Sequence, residues 1–251
     1  MKTLVEHINE ALKIGNNLSE WSAYSCQPKT KEELIKLIRK RIRQEGQNCD
    51  LNDIDVSQIY DMSFLFERFK NFNGDISKWN VRNAKDMSNM FAYSKFNGDI
   101  SNWDVSNVKT MEWMFYRSKF SQDISKWDVY NVESMEGMFC DSKFNTNISN
   151  WDVRNVKIMR SMFENSRFNG DISKWDTSNV ENMYYMFRTS DFNQDISKWN
   201  VSNVKDMTGM FYMSEFNNDI SKWKINKDCI THSIFEYGHI KDEFKPKSIQ
   251  K

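Results

Sequence analysis

Between Phe72 and Trp223 the chain repeats itself with a fixed spacing, and that spacing limits what it can fold into. Phe72, Phe96, Phe120, Phe144, Phe168, Phe192 and Phe216 recur every 24 residues, and Trp79, Trp103, Trp127, Trp151, Trp175, Trp199 and Trp223 follow in step. No insertion or deletion interrupts either series. A period in this range marks a protein built from stacked units, none of which can bury its apolar face alone. Function in such a chain is a matter of surfaces.

Three regions follow. Residues 1–49 form a helical N-terminal leader or cap, 50–225 the repeat array with six full units in 72–215 and a partial unit at each end, and 226–251 a C-terminal cap. In the leader, Leu4, Val5, Ile8, Ala11 and Leu12 recur at helical spacing, with Gly15 as a stop. A second helix begins at the Thr30 and Glu33 capping-box pattern, carries the stripe Leu34, Ile35, Ile38 and Ile42, and ends near Gly46. Its Lys36, Arg39, Lys40, Arg41 and Arg43 read either as a solvated face or as a docking patch for an acidic partner. The first unit is degenerate: Leu51 to Phe66 matches Ile76 to Phe91 at an offset of 25. His232, Ile234, Phe235, Tyr237, Ile240 and Phe244 are expected to cover the far end.

Within residues 96–119 the alternation Trp103, Asp104, Val105 predicts a short strand. Val108, Met111, Met114 and Phe115 then predict one stripe of a short helix. The expected fold is therefore α/β: a solenoid of 24-residue strand–helix turns with a parallel sheet and a helical N-terminal cap. The Trp, Val, Met and Phe columns form its core. Asn83, Asn107, Asn131, Asn155, Asn179 and Asn203 stand between strand and helix, where an amide can cap the helix and donate to the neighbouring turn. Asp75, Asp99, Asp123, Asp171, Asp195 and Asp219, with Asn147 interrupting them, either satisfy local backbone N–H groups or line up ligands for calcium. Lys78, Lys126, Lys174, Lys198 and Lys222 before Trp, and Asp104, Asp128, Asp152 and Asp176 after it, are read as a charged outer face.

Composition narrows function. With 35 basic and 35 acidic residues the chain has no net charge, which does not fit a nucleic-acid binder. No apolar run reaches membrane-spanning length. Glu6 and Glu10 break the apolar stretch that a signal peptide needs, so the expected location is cytoplasmic, in a soluble and monomeric protein. Cys26, Cys49, Cys140 and Cys229 form no disulfide pattern. Cys229, His232 and His239 imitate metal-ligand spacing but lack a fourth ligand, so no metal and no cofactor are expected. No phosphate loop, nucleophile elbow or carboxylate pair suggests an enzyme.

The phrase Phe-Asn-Gly-Asp-Ile-Ser-x-Trp-Asp-Val-Ser-Asn-Val-x-x-Met-x-x-Met-Phe resembles the repeat of BspA-type leucine-rich-repeat surface proteins. It also resembles a domain of unknown function known from mycoplasma lipoproteins. The likeness covers roughly residues 50–225, and Pro28 to Gly46 followed by Leu51-Asn52-Asp53-Ile54-Asp55 resembles that domain's usual leading segment. The family implies a right-handed solenoid, binding to other proteins or host surfaces, and no catalytic motif. Surface association is the location it implies as the alternative.

If repeated residues build the scaffold, partner contacts belong where units differ. Positions equivalent to Asn89 and Tyr93 lie opposite the Met stripe of the expected helix and should be exposed. Tyr93, Trp113 and Tyr116 fall there on two consecutive units, and Tyr185 and Tyr212 make a smaller group further on. Tyr130 is a further aromatic, between strand and helix. Clustered exposed aromatics are typical anchors for a protein partner.

Overall fold

The computed structural model describes residues 25–249. The leader helix expected around Leu4–Leu12 lies outside them. The other expected helix is present as α1, Lys31–Glu45. Thr30 caps it by accepting from the Glu33 N–H at 3.2 Å, and the Glu33 carboxylate reaches back to the Lys29 N–H at 2.8 Å. Gly46, at φ 90°, closes it by donating to the Ile42 carbonyl. Leu34 and Ile38 are fully buried against the array, which places α1 over the first unit. Its position is fixed at both ends, by Lys31 on Asp61 and by Arg41 on Asp53.

The expected α/β solenoid with strand, helix and parallel sheet is overturned. Among the described residues α1 is the one α-helix, a three-residue 3-10 turn occupies Asp242–Phe244, and pairing between units is confined to isolated parallel bridges that form no sheet. Each 24-residue unit is a coil of successive turns laid on the previous coil. The segment read as helix shows why. Met111, Trp113, Phe115 and Arg117 donate their N–H groups to Ser134, Glu136, Met138 and Cys140 of the next coil, at 2.7–3.1 Å. The N–H groups between them, of Met114, Tyr116 and Ser118, bond back three residues within their own coil. A helix would need every N–H to bond four residues back. Here every second one leaves the coil, and Trp113 and Arg117 take φ values of 55° and 50°, which no helix accommodates. The spacing of three, three and one that suggested a helical stripe also fits this chain of turns.

The expected strand around Trp103 keeps its alternation, with Trp103 and Val105 buried and Asp104 exposed, but bonds no neighbouring strand. A column of bridges runs instead through Asp61, Asp86, Thr110, Ser134, Ile158, Asn182, Asp206 and Ile230, with two more near the N-terminal end, Cys26 to Ile54 and Asp50 to Asp75.

Side-chain columns hold the coils in register. Each indole N–H donates to a carbonyl one coil back: Trp103 to Ile76, Trp127 to Ile100, Trp151 to Ile124, and so on to Trp223 on Ile196, at 3.0–3.2 Å. Two columns of Phe rings stack beside them, with neighbours such as Phe115 and Phe139 at 5.8 Å and Phe96 and Phe120 at 6.3 Å. The Asn83-type amides bond as expected on the array side, with Nδ2 of Asn131 on the Ser106 carbonyl at 2.8 Å and its equivalents on theirs. There is no helix for them to cap. Two further columns carry weight that the sequence reading did not assign. Asn73 and Asn97 accept the N–H of the residue 24 positions on, as do Asn145, Asn169, Asn193 and Asn217. Buried Ser94, Ser118, Ser142, Ser166, Ser190 and Ser214 each accept from the Phe N–H two residues later.

The stacking runs beyond residue 225. Ile230 bridges Asp206 and Phe235 stacks on Phe211 at 5.8 Å. Ile240 then lies buried in the next Phe position, and the Phe244 carbonyl accepts from Ile220.

The Asp75-type carboxylates make local turns. Asp75, Asp99, Asp123, Asp171, Asp195 and Asp219 each accept from the Ser N–H two residues on at 2.8–2.9 Å, and Asn147 does the same with Ser149. Those bonds hold the six carboxyls below the usual range. A group with a depressed folded pKa contributes stability above its unfolded pKa of about 4 and loses it as pH falls through the folded value. The urea midpoint should therefore hold level from about pH 7 to pH 5 and drop below about pH 4. Replacing Asp99, Asp123, Asp171 and Asp195 by Asn keeps the turn and should flatten that drop; an unchanged acid limb would refute the assignment.

The tryptophan column gives a second expectation. Trp151→Ala should cost about 3–5 kcal/mol in urea unfolding, as a large-to-small core change. Trp151→Phe removes the indole donor, but the Ile124 carbonyl keeps the Trp127 N–H, so a smaller loss of about 1–2 kcal/mol is expected. Equal losses for the two variants would contradict this division.

Candidate interaction site

Two positions per coil take positive φ, and they define the variable face. The first column runs Asn89, Trp113, Gly137, Ser161, Tyr185, Gly209 and Ser233; the second runs Tyr93, Arg117, Asp141, Asn165, Thr189, Met213 and Tyr237. Left-handed residues are needed because the chain turns repeatedly while still sending alternate N–H groups to the next coil. The aromatics expected opposite a helical Met stripe sit on this face for that reason, since the helix itself is absent.

Tyr93, Trp113 and Tyr116 are brought together. The Tyr116 ring meets Tyr93 edge-on at 5.0 Å and Trp113 edge-on at 5.2 Å. The rings are less open than expected: Tyr93 is 40% exposed, and Trp113 and Tyr116 are half-buried. The Arg117 guanidinium lies 5.2 Å from the Tyr116 ring centre and 6.0 Å from that of Tyr93, with the Lys70 ammonium 5.0 Å from Tyr93 on the preceding coil. Arg117 also pairs with Asp141 on the next coil at 2.9 Å. Burial, with a hydrogen bond to Tyr93, pushes the Tyr116 phenol up to about 12, so it stays neutral.

The second group shares this plan. Arg188 lies 4.9 Å from the Tyr185 ring centre and 5.6 Å from that of Tyr212, and it pairs with Glu164 at 2.6 Å. The Tyr184 ring lies tilted against Tyr185 at 3.9 Å, and Tyr237, 71% exposed, meets Tyr212 edge-on at 5.5 Å. Tyr130 stands apart, under the Arg154 guanidinium. Sequence reading named Tyr93, Trp113, Tyr116, Tyr185 and Tyr212 but passed over Arg117 and Arg188, which bind each group together.

A further signal was present and went unread. Gly137 stands 24 residues after Trp113, and Gly209 stands 24 after Tyr185. A Cβ on Gly137 would lie 2.1 Å from the Trp113 ring, and one on Gly209 would lie 2.3 Å from the Tyr185 ring. Each large ring leans onto the next coil, where the backbone must be bare.

Other candidates separate. His239 faces Glu215 at 2.8 Å, and no three His, Cys, Asp or Glu side chains among the described residues gather as a metal site. The four cysteines are free thiols, with Cys49 and Cys140 buried. On α1, Arg41 is engaged with Glu45 and Asp53, while Lys36, Arg39, Lys40 and Arg43 remain exposed. Among the described residues no helix is long and apolar enough to cross a membrane.

The ring-over-glycine pairing is testable by a double-mutant cycle. Gly137→Ala alone should destabilise through strain at positive φ, about 1–2 kcal/mol, and through displacement of the Trp113 ring. In the Trp113→Ala background the clash is gone, so the two costs should fall short of their sum by about 1 kcal/mol or more. Strict additivity would show that the ring does not rest there.

A family model described as "Mycoplasma protein of unknown function, DUF285" matches residues 39–147 and again residues 140–245. No curated protein and no solved structure matches the chain. Those two stretches take in the second half of α1 and the whole array, and the chain belongs to that family of mycoplasma proteins of unknown function.

Proposed function

We propose that the chain is a non-enzymatic scaffold that binds another protein through its variable face, with Tyr93, Trp113 and Tyr116 as the principal anchor and Tyr185 and Tyr212 as a second one. One observation carries this reading. The columns that hold the coils repeat almost without change, while the columns at positive φ vary and gather half-exposed aromatic rings around Arg117 and Arg188. Aromatic rings and arginine are the side chains that most often anchor interfaces, and rings held edge-on in a rigid stack lose little entropy on binding. The likeness of the repeat phrase to BspA-type surface proteins supports the same class of function. It also favours a second reading, an adhesion protein at the cell surface, over a cytoplasmic binder. Cell fractionation separates those two locations.

The test is affinity capture from native lysate, with the full chain beside a Tyr93→Ala/Trp113→Ala/Tyr116→Ala variant of matched urea midpoint. A partner held by the wild type and lost by the variant supports both the function and the site. Equal capture by both moves the contact elsewhere. Capture by neither, from lysate and from surface extracts alike, overturns the binding reading.

A further inference from the structure

The coils are joined by the same strip of main-chain bonds at six successive junctions. At the last of these, Met207, Gly209, Phe211 and Met213 donate to Ile230, His232, Ile234 and Glu236 at 2.8–3.0 Å. The final coil repeats the geometry, with Ser233 at φ 53° and Tyr237 at φ 56°. Its inward-bonding N–H groups, of Ile234, Glu236 and Gly238, are satisfied within the coil. The outward row, the N–H groups of Thr231, Ser233, Phe235 and Tyr237, donates to nothing among the described residues. The segment 239–249 covers the other half of this end, with Lys241 on Asn217, Phe244 on Ile220, and Ile240 and Pro246 buried. It leaves the donor row open, between exposed Ile230 and Tyr237.

We infer that this edge, residues 230–238, takes up a main-chain segment of a partner protein that presents carbonyls at every second residue and rests its side chains against exposed Ile230 and Tyr237. An unpaired row of backbone donors beside apolar side chains is a template for an added strand. The chemistry of the row fixes what it accepts. Two copies meeting end to end would set donors against donors. A copy stacking its first coil here is blocked, because α1 closes that end, with Leu34 and Ile38 buried in the core and Lys31 bonded to Ser63 and Asp61. The occupant is thus a segment of a different chain, bound by its backbone; the site touches the aromatic face at Tyr237 but rests on main-chain donors and not on the rings.

The probe is a synthetic peptide of residues 206–214, whose carbonyls at Asp206, Thr208, Met210 and Tyr212 accept the equivalent strip within the array. Hydrogen–deuterium exchange of the full chain should show the amides of Thr231, Ser233, Phe235 and Tyr237 exchanging freely while those of Met207, Gly209, Phe211 and Met213 are protected. Excess peptide should slow exchange in 231–237 at least tenfold, and a scrambled peptide should not. Thr231 has a negative φ and its N–H bonds nothing, so Thr231→Pro should fold like the wild type and weaken peptide binding at least tenfold. Should that variant prove unstable, the exchange comparison on the wild type decides alone. No protection by the peptide, or equal protection by the scrambled one, would overturn the inference. Protection that rises with protein concentration and needs no peptide would assign the edge to a second copy and overturn it equally.

Discussion

One carbonyl in each coil carries two buried donors, and one of them comes from the next coil. The oxygen of Ile124 accepts the backbone N–H of Trp127 at 3.1 Å and the indole N–H of Trp151, one coil on, also at 3.1 Å. Both lone pairs are engaged by buried donors, and the same arrangement recurs at Ile76, Ile100, Ile148, Ile172 and Ile196. A buried indole without an acceptor would be costly, as would a buried carbonyl left bare. Because the indole reaches back over the same length of chain in each regular coil, a residue gained or lost has to be absorbed in a loop if this bond is to survive. The period of 24 keeps the bond in place without such a loop. The first coil shows the permitted exception: Trp79 reaches Leu51, and the extra residue falls in the 67–71 loop, where Phe66 and Phe72 still stack at 4.7 Å.

Once the period is fixed, identical residues come to lie above one another, and the stack is stabilised column by column. Asn amides and Asn carbonyl oxygens bridge coils, and Phe rings overlap. Charges along one edge alternate, as Lys109, Glu133 and Lys157 do at 3.6 and 3.0 Å. Such exposed pairs contribute little individually. Their arrangement matters because like charges stacked at one coil's distance would repel.

The columns, the core and the offset of the first coil were legible in the sequence because they depend only on which residues recur. The secondary structure was not. Met111, Met114 and Phe115 line one side of a helix and one side of a chain of turns equally well, and spacing alone does not separate the two. The deciding feature is the sign of φ at Trp113 and Arg117; Asn89, Asp141 and Asn165 tolerate that region, but Trp, Tyr, Arg, Thr and Met in the same columns do not announce it. Gly137 and Gly209 gave the clearest hint. Their neighbours Trp113 and Tyr185, one coil back, would have shown that the glycines make room for rings. The aromatic cluster was visible because Tyr93, Trp113 and Tyr116 fall at variable positions on two consecutive units, whereas the arginines that gather them looked like ordinary surface charge.

The alternation of bonding that displaced the helix also shapes both candidate surfaces. A helix would satisfy its N–H groups internally and end in a cap. A coil that sends every second N–H to its neighbour always leaves one row of donors at the end of the stack. At the N-terminal end the row that remains consists of acceptors, and α1 packs on that coil with Lys31 bonded to Ser63 and Asp61. At the far end the row consists of donors, and the cap stops short of it. The same turns that expose that row carry the positive-φ residues that set Tyr93, Trp113 and Tyr185 on the flank. The flank offers side chains, whose identity can vary from coil to coil, while the end offers backbone, whose pattern cannot. One conformational choice, made at two residues per coil, thus yields a surface suited to selective contact and an edge suited to main-chain pairing.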